Sequence, residues 1–534
     1  MAPKTDPAPD TKAKIVAISP IDRSRDQGAA GALSGDDNTR PHAVLWNKAE
    51  FIKQLPGGKL PEVSESFDVV VVGGGMSGLI AAYQLKDLKP LVLEQAVRFG
   101  GNSKGEAWQG LDYSIGAAYV GDPEAGSPIA NFLGEIGILE KMKPWDVEKD
   151  PIVVDGKSHL DIWGNGTGPR NKKQFNRLRD YFAEVVQGKN GRALPIIPPT
   201  SEKQKALLAT LDKVSFKKHL ETILREKLQP EVEAVMDEYC RSAFGGRLSE
   251  VSAAAGLNFF AGDTGGVRVA PGGNAGIAEH ILVKLAEALP SENLRAGSLV
   301  FDIGVVKEGA EIAYVNFSGK VVKVAAKRVI FAAPKFVAAK VIEGLETPRT
   351  KAIASLKYRP YVVANVLVEG ESFLSASNEP KFYDIYFVTT KREKNPPLAE
   401  VTDLTFGNFA MPDAARSVLT LYAPIPEGEK RAALMTATHE TLKADIEKQL
   451  KEKILPVLAL EPSKVKEIRI TRWGHPLPLA EVGNFSAKGK IELLRAPFRD
   501  VVYFTNQDNW TLPGFEGLFD SALATSAEVR SRLK

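Results

Sequence analysis

A valine-rich apolar run from Phe67 to Val72, interrupted only by Asp68, is the clearest hydrophobic pattern in the N-terminal part of the chain. A short valine-rich run bounded by glycine predicts a strand buried on both faces, as in a parallel sheet. An apolar helical segment follows at about Ser77 to Lys86, and a second short strand is predicted at Leu91 to Leu93. Strand, helix and strand at this spacing predict a βαβ unit, and therefore a protein of the α/β class.

Helical and strand-like patterns alternate along the rest of the chain. Four amphipathic stretches predict helices at Lys172 to Val186, Pro230 to Phe244, Ala275 to Leu289 and Arg431 to Lys453. Strand-like runs occur at Ile312 to Phe317, Lys320 to Ala325, Lys327 to Pro334, Tyr361 to Val368, Tyr383 to Val388, Ser417 to Tyr422 and Asp500 to Asp508. Mixed helices and strands of this length fit an α/β protein built from more than one core.

Three glycines with GxGxxG spacing, Gly73, Gly75 and Gly78, follow the first strand directly. The first permits a tight turn, the second lets the backbone approach a pyrophosphate, and the third lets the helix pack against the strand. The helix N-terminus presents its backbone amides to the phosphates. Glu94 ends the second strand, 21 residues after Gly73, where its carboxylate can accept hydrogen bonds from ribose hydroxyls and would repel the extra phosphate of NADP. The set predicts a site for an ADP-bearing dinucleotide.

The residues after Glu94 narrow the choice of dinucleotide. They include a basic residue, Arg98, and the pair Gly100-Gly101. With the GxGxxG unit, this segment resembles the fingerprint of the flavin-containing amine oxidase superfamily, which includes monoamine and polyamine oxidases and phytoene-desaturase-like enzymes. The resemblance implies a Rossmann-like FAD-binding domain that is discontinuous in sequence, with a mixed α+β substrate-binding domain. The alternative is a generic Rossmann unit in which Gly100-Gly101 is only a turn.

The resemblance extends to later segments. Gly116 matches the segment that runs beside the isoalloxazine ring in the family, although a bulge glycine in a hairpin would look the same. Asp508 matches an acid that binds ribitol hydroxyls, and Glu516 matches the pair that opens the last helix, whereas Gln507 replaces the usual glycine and Asn102 replaces a common arginine. The residues that the resemblance implies for FAD binding are Gly73, Gly75, Met76, Ser77, Gly78, Glu94, Gln95, Arg98, Gly100, Gly101, Asn102, Gly116, Ala117, Val300, Ala333, Asp508, Phe515 and Glu516.

The resemblance also suggests candidate catalytic residues. Polyamine-oxidase relatives carry a lysine that reaches flavin N5 through water, and Lys351 or, in another register, Arg349 would take its place; a surface side chain is the competing interpretation. Amine oxidases flank the flavin with two aromatic rings, for which Trp473 and Trp510 are the candidates, with core packing as the alternative. His475 could donate a hydrogen bond to the substrate.

These matches divide the chain into three parts. Residues 1–65 are predicted to form an extended or partly disordered N-terminal arm, because the segment up to about residue 45 is rich in Pro, Asp, Gly, Ala and Ser. Residues 66–122, 266–340 and 487–534 are predicted to form the FAD-binding domain. Residues 123–265 and 341–486 are predicted to form the substrate domain.

Composition excludes several function classes. The formal charge of +3 over 534 residues is close to balance and predicts no nucleic-acid partner. No apolar run is long enough to predict a transmembrane segment. The single cysteine, Cys240, excludes an internal disulfide and is expected to be a buried structural thiol, and six histidines without a spaced ligand set predict no metal site. The N-terminus lacks a signal-peptide pattern, so cytoplasmic location is the default expectation unless a targeting segment has been removed.

Three functions are compatible with the sequence. The first is an FAD-dependent oxidoreductase that oxidises an amine by hydride transfer from the α carbon to flavin N5, with imine hydrolysis and reoxidation by oxygen or another acceptor. The second is a desaturase-like flavoenzyme acting on an apolar, isoprenoid-type substrate, and the third is a non-catalytic flavoprotein. We expect a small-molecule substrate, with an amine favoured, and a homodimer is a possible assembly.

Overall fold

A computed structural model describes residues 32–37, 39–263, 265–391, 396–426, 428–486 and 489–533. Residues 1–31 of the predicted N-terminal arm, residues 1–65, lie outside the described residues. Between residues 32 and 65 the structure has one short strand and two short helices that lead into the first long strand.

The described part of the chain contains the following strands in order: β1 Ser34–Gly35, β2 Val63–Val72, β3 Leu91–Leu93, β4 Gly105–Trp108, β5 Leu111–Ser114, β6 Val120–Gly121, β7 Lys143–Trp145, β8 Ile152–Val154, β9 Lys157–His159, β10 Val267–Val269, β11 Leu294–Arg295, β12 Leu299–Val306, β13 Gly309–Val315, β14 Val321–Phe331, β15 Tyr358–Glu369, β16 Asp384–Val388, β17 Asp403–Phe406, β18 Arg416–Pro424, β19 Val465–Pro478 and β20 Val502–Phe504. Its α-helices are α1 Arg40–Leu45, α2 Lys48–Lys53, α3 Met76–Gln84, α4 Pro128–Glu135, α5 Ile162–Asn165, α6 Pro169–Val186, α7 Glu202–Leu211, α8 Phe216–Leu224, α9 Pro230–Phe244, α10 Ala253–Asp263, α11 Asn274–Ala288, α12 Lys335–Val341, α13 Thr347–Ala354, α14 Arg431–Thr436, α15 His439–Gln449, α16 Leu455–Leu458, α17 Lys490–Arg495 and α18 Phe515–Ser531.

The first sheet, which we call the nucleotide sheet, has the strand order β11-β3-β2-β14-β13-β12, and β20 also pairs with β14. Strands β3, β2, β14 and β20 run parallel. The valines of β2 alternate between two cores: Val69 and Val71 pack with α3, α11 and α18, whereas Val70 and Val72 pack with β12 and β13. Burial on both faces explains why β2 reads as a continuous apolar run.

Strand β14 differs from the sequence prediction. The pattern suggested two strands, Lys320 to Ala325 and Lys327 to Pro334, but the structure has one strand, Val321–Phe331. The charged pair that separated them in the pattern lies within the strand, and the Lys327 Nζ atom reaches Asp68 Oδ1 at 2.7 Å. A long side chain that extends to the surface therefore does not interrupt a strand.

The second sheet, which we call the substrate sheet, has the strand order β1-β19-β15-β18-β17-β16-β8-β9. Because successive side chains of a strand point to opposite faces, each strand contributes to both surfaces of the sheet. One face is apolar and packs against α15 through Leu442 and Ile446. The other face carries polar side chains.

The predicted helix Arg431 to Lys453 is interrupted in the structure. Helix α14 ends at Thr436, and α15 begins at His439 after Thr438, whose hydroxyl accepts a hydrogen bond from the Thr441 backbone N–H. Threonine is a favourable N-cap because its side chain satisfies an amide that the helix cannot pair. The helical pattern was continuous, but the cap divides it.

Helices α6 to α10 form a separate apolar core, which agrees with the predicted helical block. Helix α9 has the predicted bounds, Pro230–Phe244, and ends at Gly245 in the left-handed conformation. Cys240 lies in this core and is fully buried. In the described ranges no helix is sufficiently long and apolar to cross a membrane.

We predict that Gly78→Ala destabilises the nucleotide sheet. A Cβ atom added at Gly78 would lie 1.9 Å from the carbonyl oxygen of Gly73, so the turn between β2 and α3 would have to open. Overpacking of this kind costs about 1–3 kcal/mol, and here the contact is with backbone. The melting temperature and the FAD content of the purified protein measure the effect.

Gly134→Ala on α4 is the matched control, because a Cβ atom there meets no atom within 4 Å. Replacing a helical glycine with alanine should stabilise the protein by up to about 1 kcal/mol. Equal melting temperatures for the two variants would show that the close approach at Gly78 is not required.

Candidate active site

The glycine-rich turn lies at the carboxyl edge of the nucleotide sheet, where ligands bind in open α/β sheets. Gly73 has a φ angle of +107°, and its backbone N–H donates to the Leu93 carbonyl at 2.8 Å. Helix α3 begins immediately afterwards at Met76. The first amides of a helix have no intrahelical acceptor, so those of Met76, Ser77 and Gly78 can donate to a diphosphate.

Glu94 is held beside this turn. One carboxylate oxygen accepts the Gly74 N–H at 2.7 Å and the other accepts the Ala96 N–H at 2.8 Å. The residue is 6% exposed. Because an ionised carboxylate can accept about four hydrogen bonds, two positions remain for the hydroxyls of a ribose. This arrangement fits the predicted role of Glu94.

The pair Gly100-Gly101 packs against the glycine-rich turn. The Gly100 N–H donates to the Gly74 carbonyl at 2.8 Å, and a Cβ atom added at Gly101 would lie 2.9 Å from the Gly75 Cα atom. Arg98 donates to the Gly105 carbonyl at 2.9 Å, which places its guanidinium at the base of β4. Gln95 is exposed. The two loops therefore leave a cradle that side chains would fill.

The segment around Gly116 is attached to this cradle. A Cβ atom added at Gly116 would lie 2.1 Å from the Asn102 carbonyl oxygen, and the Ala117 N–H donates to the same oxygen at 3.1 Å. The Asn102 amide in turn donates to the Pro476 carbonyl at 3.1 Å. The segment around Gly116 therefore lies beside Asn102, the residue that follows Gly100-Gly101.

The ends of β14 and β20 complete the edge. A Cβ atom added at Gly73 would lie 3.1 Å from the Ala333 backbone nitrogen, so these two predicted residues are neighbours. Val300 is also buried, in the core beneath β2, and does not line the turn directly. Glu516, in the first turn of α18, accepts the Gly121 N–H at 2.9 Å, and Phe515 packs beneath it. The N-terminus of α18 therefore lies beside β6.

Asp508 is fully buried and already has three donors. Lys335 Nζ lies 2.9 Å from Oδ1, and the Lys335 N–H and the Tyr358 hydroxyl each donate to Oδ2 at 2.7 Å. A carboxylate with three donors has room for about one more, so the predicted contact with ribitol would have to be a single hydrogen bond. Burial lowers the pKa of Lys335, and Asp508 opposes that shift.

Lys335 was missed in the sequence. It directly follows Ala333-Pro334 at the end of β14, and a lysine at the end of a buried strand gave no pattern that distinguishes it from a surface residue. The ion pair with Asp508 connects residues 173 positions apart, so only the fold shows it.

The three predicted catalytic residues lie in different places. Trp473 is 3% exposed, and its Nε1 donates to the Ile115 carbonyl at 2.8 Å, next to Gly116. Trp510 packs in the helical core, where the Arg495 guanidinium lies 4.2 Å from its ring centre. Lys351 is exposed on α13, and Arg349 is buried on the same helix, where it donates to the Ala496 carbonyl. The structure connects only Trp473 with the segment predicted to run beside the flavin, and the catalytic roles remain predictions.

A group of acids and tyrosines that the sequence analysis missed covers one face of the substrate sheet. Strand pairing places Tyr386 opposite Asp403 and Asp403 opposite Tyr422. Asp384 lies opposite Thr405, and Thr420 follows on β18. We call these six side chains the polar face: Asp384, Tyr386, Asp403, Thr405, Thr420 and Tyr422. Their period of two was visible in each strand, but the pattern could not show that this face points inward.

The polar face adjoins the predicted flavin segment. The Tyr422 hydroxyl donates to the Gly116 carbonyl at 2.9 Å. Burial raises the pKa of Asp403 to about 7, and burial followed by the charge of Asp403 raises the pKa of Asp384 well above its usual value. Asp384 and Tyr386 nevertheless keep part of their surface accessible.

Helix α10 contributes a further acid beside the polar face. Asp263 accepts the Tyr239 hydroxyl at 2.6 Å, and burial raises its pKa to about 7. Its charge also acts on Asp384. In the part of the chain that the structure describes, none of Asp263, Asp384 and Asp403 forms an ion pair with lysine or arginine, and no three His, Cys, Asp or Glu side chains are arranged to hold a metal.

We predict that Glu94→Ala reduces the retention of FAD. The ribose hydroxyls would lose an ionised acceptor, worth roughly 1.5–3 kcal/mol, and two backbone amides would lose their partner. The dissociation constant of FAD for the reconstituted protein measures this loss. Glu140→Ala, at an exposed position, is the control. An unchanged constant in Glu94→Ala would remove Glu94 from the site.

We predict that Lys335→Met lowers stability much more than Lys351→Met does. Removal of the buried lysine leaves Asp508 charged without its partner, which costs about 3–5 kcal/mol, whereas substitution of an exposed lysine changes stability by about 0.5 kcal/mol or less. Melting temperatures compare the two, and equal losses would refute the buried pair. Flavin reoxidation by oxygen tests Lys351 separately, because an unchanged rate in Lys351→Met would place that lysine on the surface only.

Curated proteins similar to this chain include an oxidoreductase, an amine oxidase and a reductase. The chain is 25% identical over 558 residues to Oxidoreductase PigB of Serratia sp. (strain ATCC 39006), a match that covers 94% of this chain and 81% of that protein. It is 36% identical over 140 residues to amine oxidase [flavin-containing] B of Sus scrofa, covering 26% of each chain. It is 33% identical over 159 residues to all-trans-retinol 13,14-reductase of Macaca fascicularis, covering 28% of this chain and 25% of that one.

Solved structures share the fold. A double mutant of putrescine oxidase superposes with a TM-score of 0.65 at 18% identity, covering 88% of this chain and all of that one. Cyclohexylamine oxidase from Brevibacterium oxydans IH-35A gives a TM-score of 0.62 at 18% identity, covering 88% and 99%. A CLA-producing fatty acid isomerase from P. acnes gives 0.60 at 14% identity with the same coverage. Identities this low establish the architecture alone.

The family assignment rests on a longer match. The model of the flavin containing amine oxidoreductases matches residues 76–529, which is most of the chain. The predicted family, α/β fold and FAD cofactor are confirmed. The glycine cradle, the helix N-termini and the capacity of Glu94 fit that cofactor. The chain therefore belongs to the flavin-containing amine oxidoreductase family and is an FAD-dependent oxidoreductase.

Proposed function

We propose that this enzyme oxidises an amine. The polar face of the substrate sheet supports this proposal most directly, because it gathers carboxyl and phenol groups beside the segment predicted to border the flavin. An apolar substrate such as an isoprenoid offers no hydrogen-bond partner to such a surface. Its binding would remove the polar groups of the protein from water and leave them unpaired. An amine supplies the positive charge that this surface lacks.

Electrostatics support a cationic guest. A buried carboxylate is costly unless it is neutral, paired or bound to a cation. Asp263, Asp384 and Asp403 have no lysine or arginine partner within the described ranges. An ammonium group beside these carboxyl groups would therefore supply the missing partner and would lower their raised pKa values.

Aromatic rings add to the attraction. The Tyr361 and Tyr422 rings meet edge to face with their centres 5.9 Å apart, and the Tyr239 and Tyr386 rings lie 6.4 Å apart. Ring faces attract cations, with about 0.5–2 kcal/mol for each contact. The Trp473 ring lies behind Gly116, where it can fix the position of that segment through its hydrogen bond to the Ile115 carbonyl.

Each part of the chain has a task in this reaction. When bound, FAD supplies the hydride acceptor for the carbon next to the nitrogen, and oxygen or another acceptor reoxidises it. The polar face attracts the ammonium ion, but the nitrogen must lose its extra proton before its lone pair can assist the transfer. A carboxyl group with a pKa of about 7, as at Asp403, suits the acceptance of a proton near neutral pH. The resulting imine is then hydrolysed by water.

A desaturase-like or reductase-like reaction on an apolar substrate is the second candidate. Its support is the likeness to all-trans-retinol 13,14-reductase and to a fatty acid isomerase. The likeness to amine oxidases is of similar extent, so the polar face, which does not suit an apolar substrate, is what favours the amine. A homodimer and a cytoplasmic location remain expectations.

We predict that KM for an amine substrate falls as pH rises, and that Asp403→Asn removes most of this effect. A pKa raised to about 7 keeps Asp403 protonated in more acidic solution and ionises it above that point. Its ionised fraction, and with it the attraction for ammonium, rises about tenfold between pH 6 and pH 8. Oxygen uptake at several amine concentrations over this range measures KM.

Asp413→Asn is the control, because Asp413 pairs with Arg416 on the surface and not on the polar face. The neutral fraction of the amine also grows with pH. This growth affects the unaltered protein, Asp403→Asn and Asp413→Asn equally, so it cancels when their KM profiles are compared. Parallel KM profiles for the three proteins would contradict a role for Asp403 in amine binding.

A further inference from the structure

A cavity lies between α12, α13 and the first residues of β15. None of the residues that line it belongs to the polar face. Its volume is about 530 Å³, which is within the range of small-molecule sites. Phe336 and Trp46 form an aromatic part of its wall. Lys357, Arg359, Arg431 and His475 form a basic part.

The two arginines of the cavity lie near each other, and they differ in how deeply they are buried. Arg359 is 7% exposed, and Arg431 is half-buried. Arg359 pairs with Glu250 at 2.7 Å, and Arg431 donates to the Tyr358 carbonyl. These contacts use only part of each guanidinium, because the Nε–H groups of both residues are buried and have no acceptor in the described structure. Burial and the charge of Arg359 together lower the pKa of Arg431.

No acid offsets the charge of Arg431 in the described ranges. The other two basic side chains have acidic partners, since Lys357 Nζ lies 2.5 Å from Glu481. His475 does not add a positive charge, because burial and then the charge of Arg431 lower its pKa to about 4. It stacks obliquely on Phe336 with 4.6 Å between ring centres, which extends the aromatic wall.

We propose that this cavity binds a small organic anion whose carboxylate or phosphate group pairs with the guanidinium groups of Arg359 and Arg431. Guanidinium groups suit both acids, because two parallel N–H donors can pair with two oxygens of a carboxylate or of a phosphate. The apolar body of the anion would lie against Phe336 and Trp46. The site is independent of the amine-oxidising function, since its residues belong to a different surface.

Tyr358 lines the cavity, and its hydroxyl donates to Asp508 at 2.7 Å. Arg431 donates to the carbonyl of the same tyrosine, so the proposed anion site and the acid predicted to contact the cofactor share one neighbour.

Calorimetric titration of the FAD-loaded protein with phenyl phosphate and with benzoate tests the proposal. We expect saturable binding of at least one probe, and the tighter of the two identifies the acid group that the site prefers. Arg431→Gln should weaken that binding roughly tenfold or more, because a charge-assisted hydrogen bond is lost. Ala339→Trp, which fills the cavity from its rim without removing a charge, should abolish it.

Arg416→Gln is the matched control, because Arg416 pairs with Asp413 outside the cavity. Its affinity for the probe should equal that of the unaltered protein, and the melting temperature of each variant shows that it is folded. The proposal fails if neither probe binds, or if Arg431→Gln and Ala339→Trp both bind the probe as tightly as the control does. Binding of inorganic phosphate with the same affinity as phenyl phosphate would also overturn the claim for an organic anion.

Discussion

Close approach of backbone to backbone at the carboxyl edge of the nucleotide sheet is the constraint on which the site depends. The third glycine of the turn leaves no room for a Cβ atom beside the Gly73 carbonyl, and Gly116 leaves none beside Asn102. These approaches bring the N-terminus of α3, the loop after Glu94 and the segment around Gly116 to one edge. Strands β14 and β20 then deliver Ala333 and Asp508 to the same edge from distant parts of the sequence.

The substrate sheet uses its two faces for different purposes. Its apolar face packs against α15 and holds the domain together, so the polar face is free to carry acids and tyrosines that contribute little to stability. Buried carboxyl groups with raised pKa values are costly in the folded protein, and such groups concentrate at functional sites. Their place beside Gly116, through the Tyr422 hydrogen bond, connects this cost with the expected position of the flavin.

The sequence predicted the nucleotide-binding part of the fold well because its signals are local. The valine run of β2 and the glycine spacing each follow from a few neighbouring residues. The end of α9 at Gly245, outside the nucleotide sheet, was predicted from equally local signals. The break between α14 and α15 was missed because the cap at Thr438 competes with a helical pattern that continues across it. The two predicted strands that merge in β14 were divided by charged residues whose side chains reach the surface.

The substrate side of the site was harder to predict because its contacts are not local. The pairing of Asp384, Asp403 and Tyr422 depends on the order of three strands, and the ion pair of Lys335 with Asp508 joins two ends of the nucleotide domain. Trp473 and Trp510 have similar sequence contexts as aromatic residues near glycine or proline, yet they lie in different cores. No periodicity within one segment could distinguish them. The domain division and the roles of individual site residues remain predictions.

We would first record the visible absorption spectrum of the purified, FAD-loaded protein before and after anaerobic addition of a panel of amines. We expect an oxidised flavin spectrum that at least one amine bleaches and that oxygen then restores. A flavin spectrum that no amine bleaches, while an apolar polyene or retinoid does change it, would contradict amine oxidation. Absence of bound flavin after reconstitution with FAD would contradict the site itself.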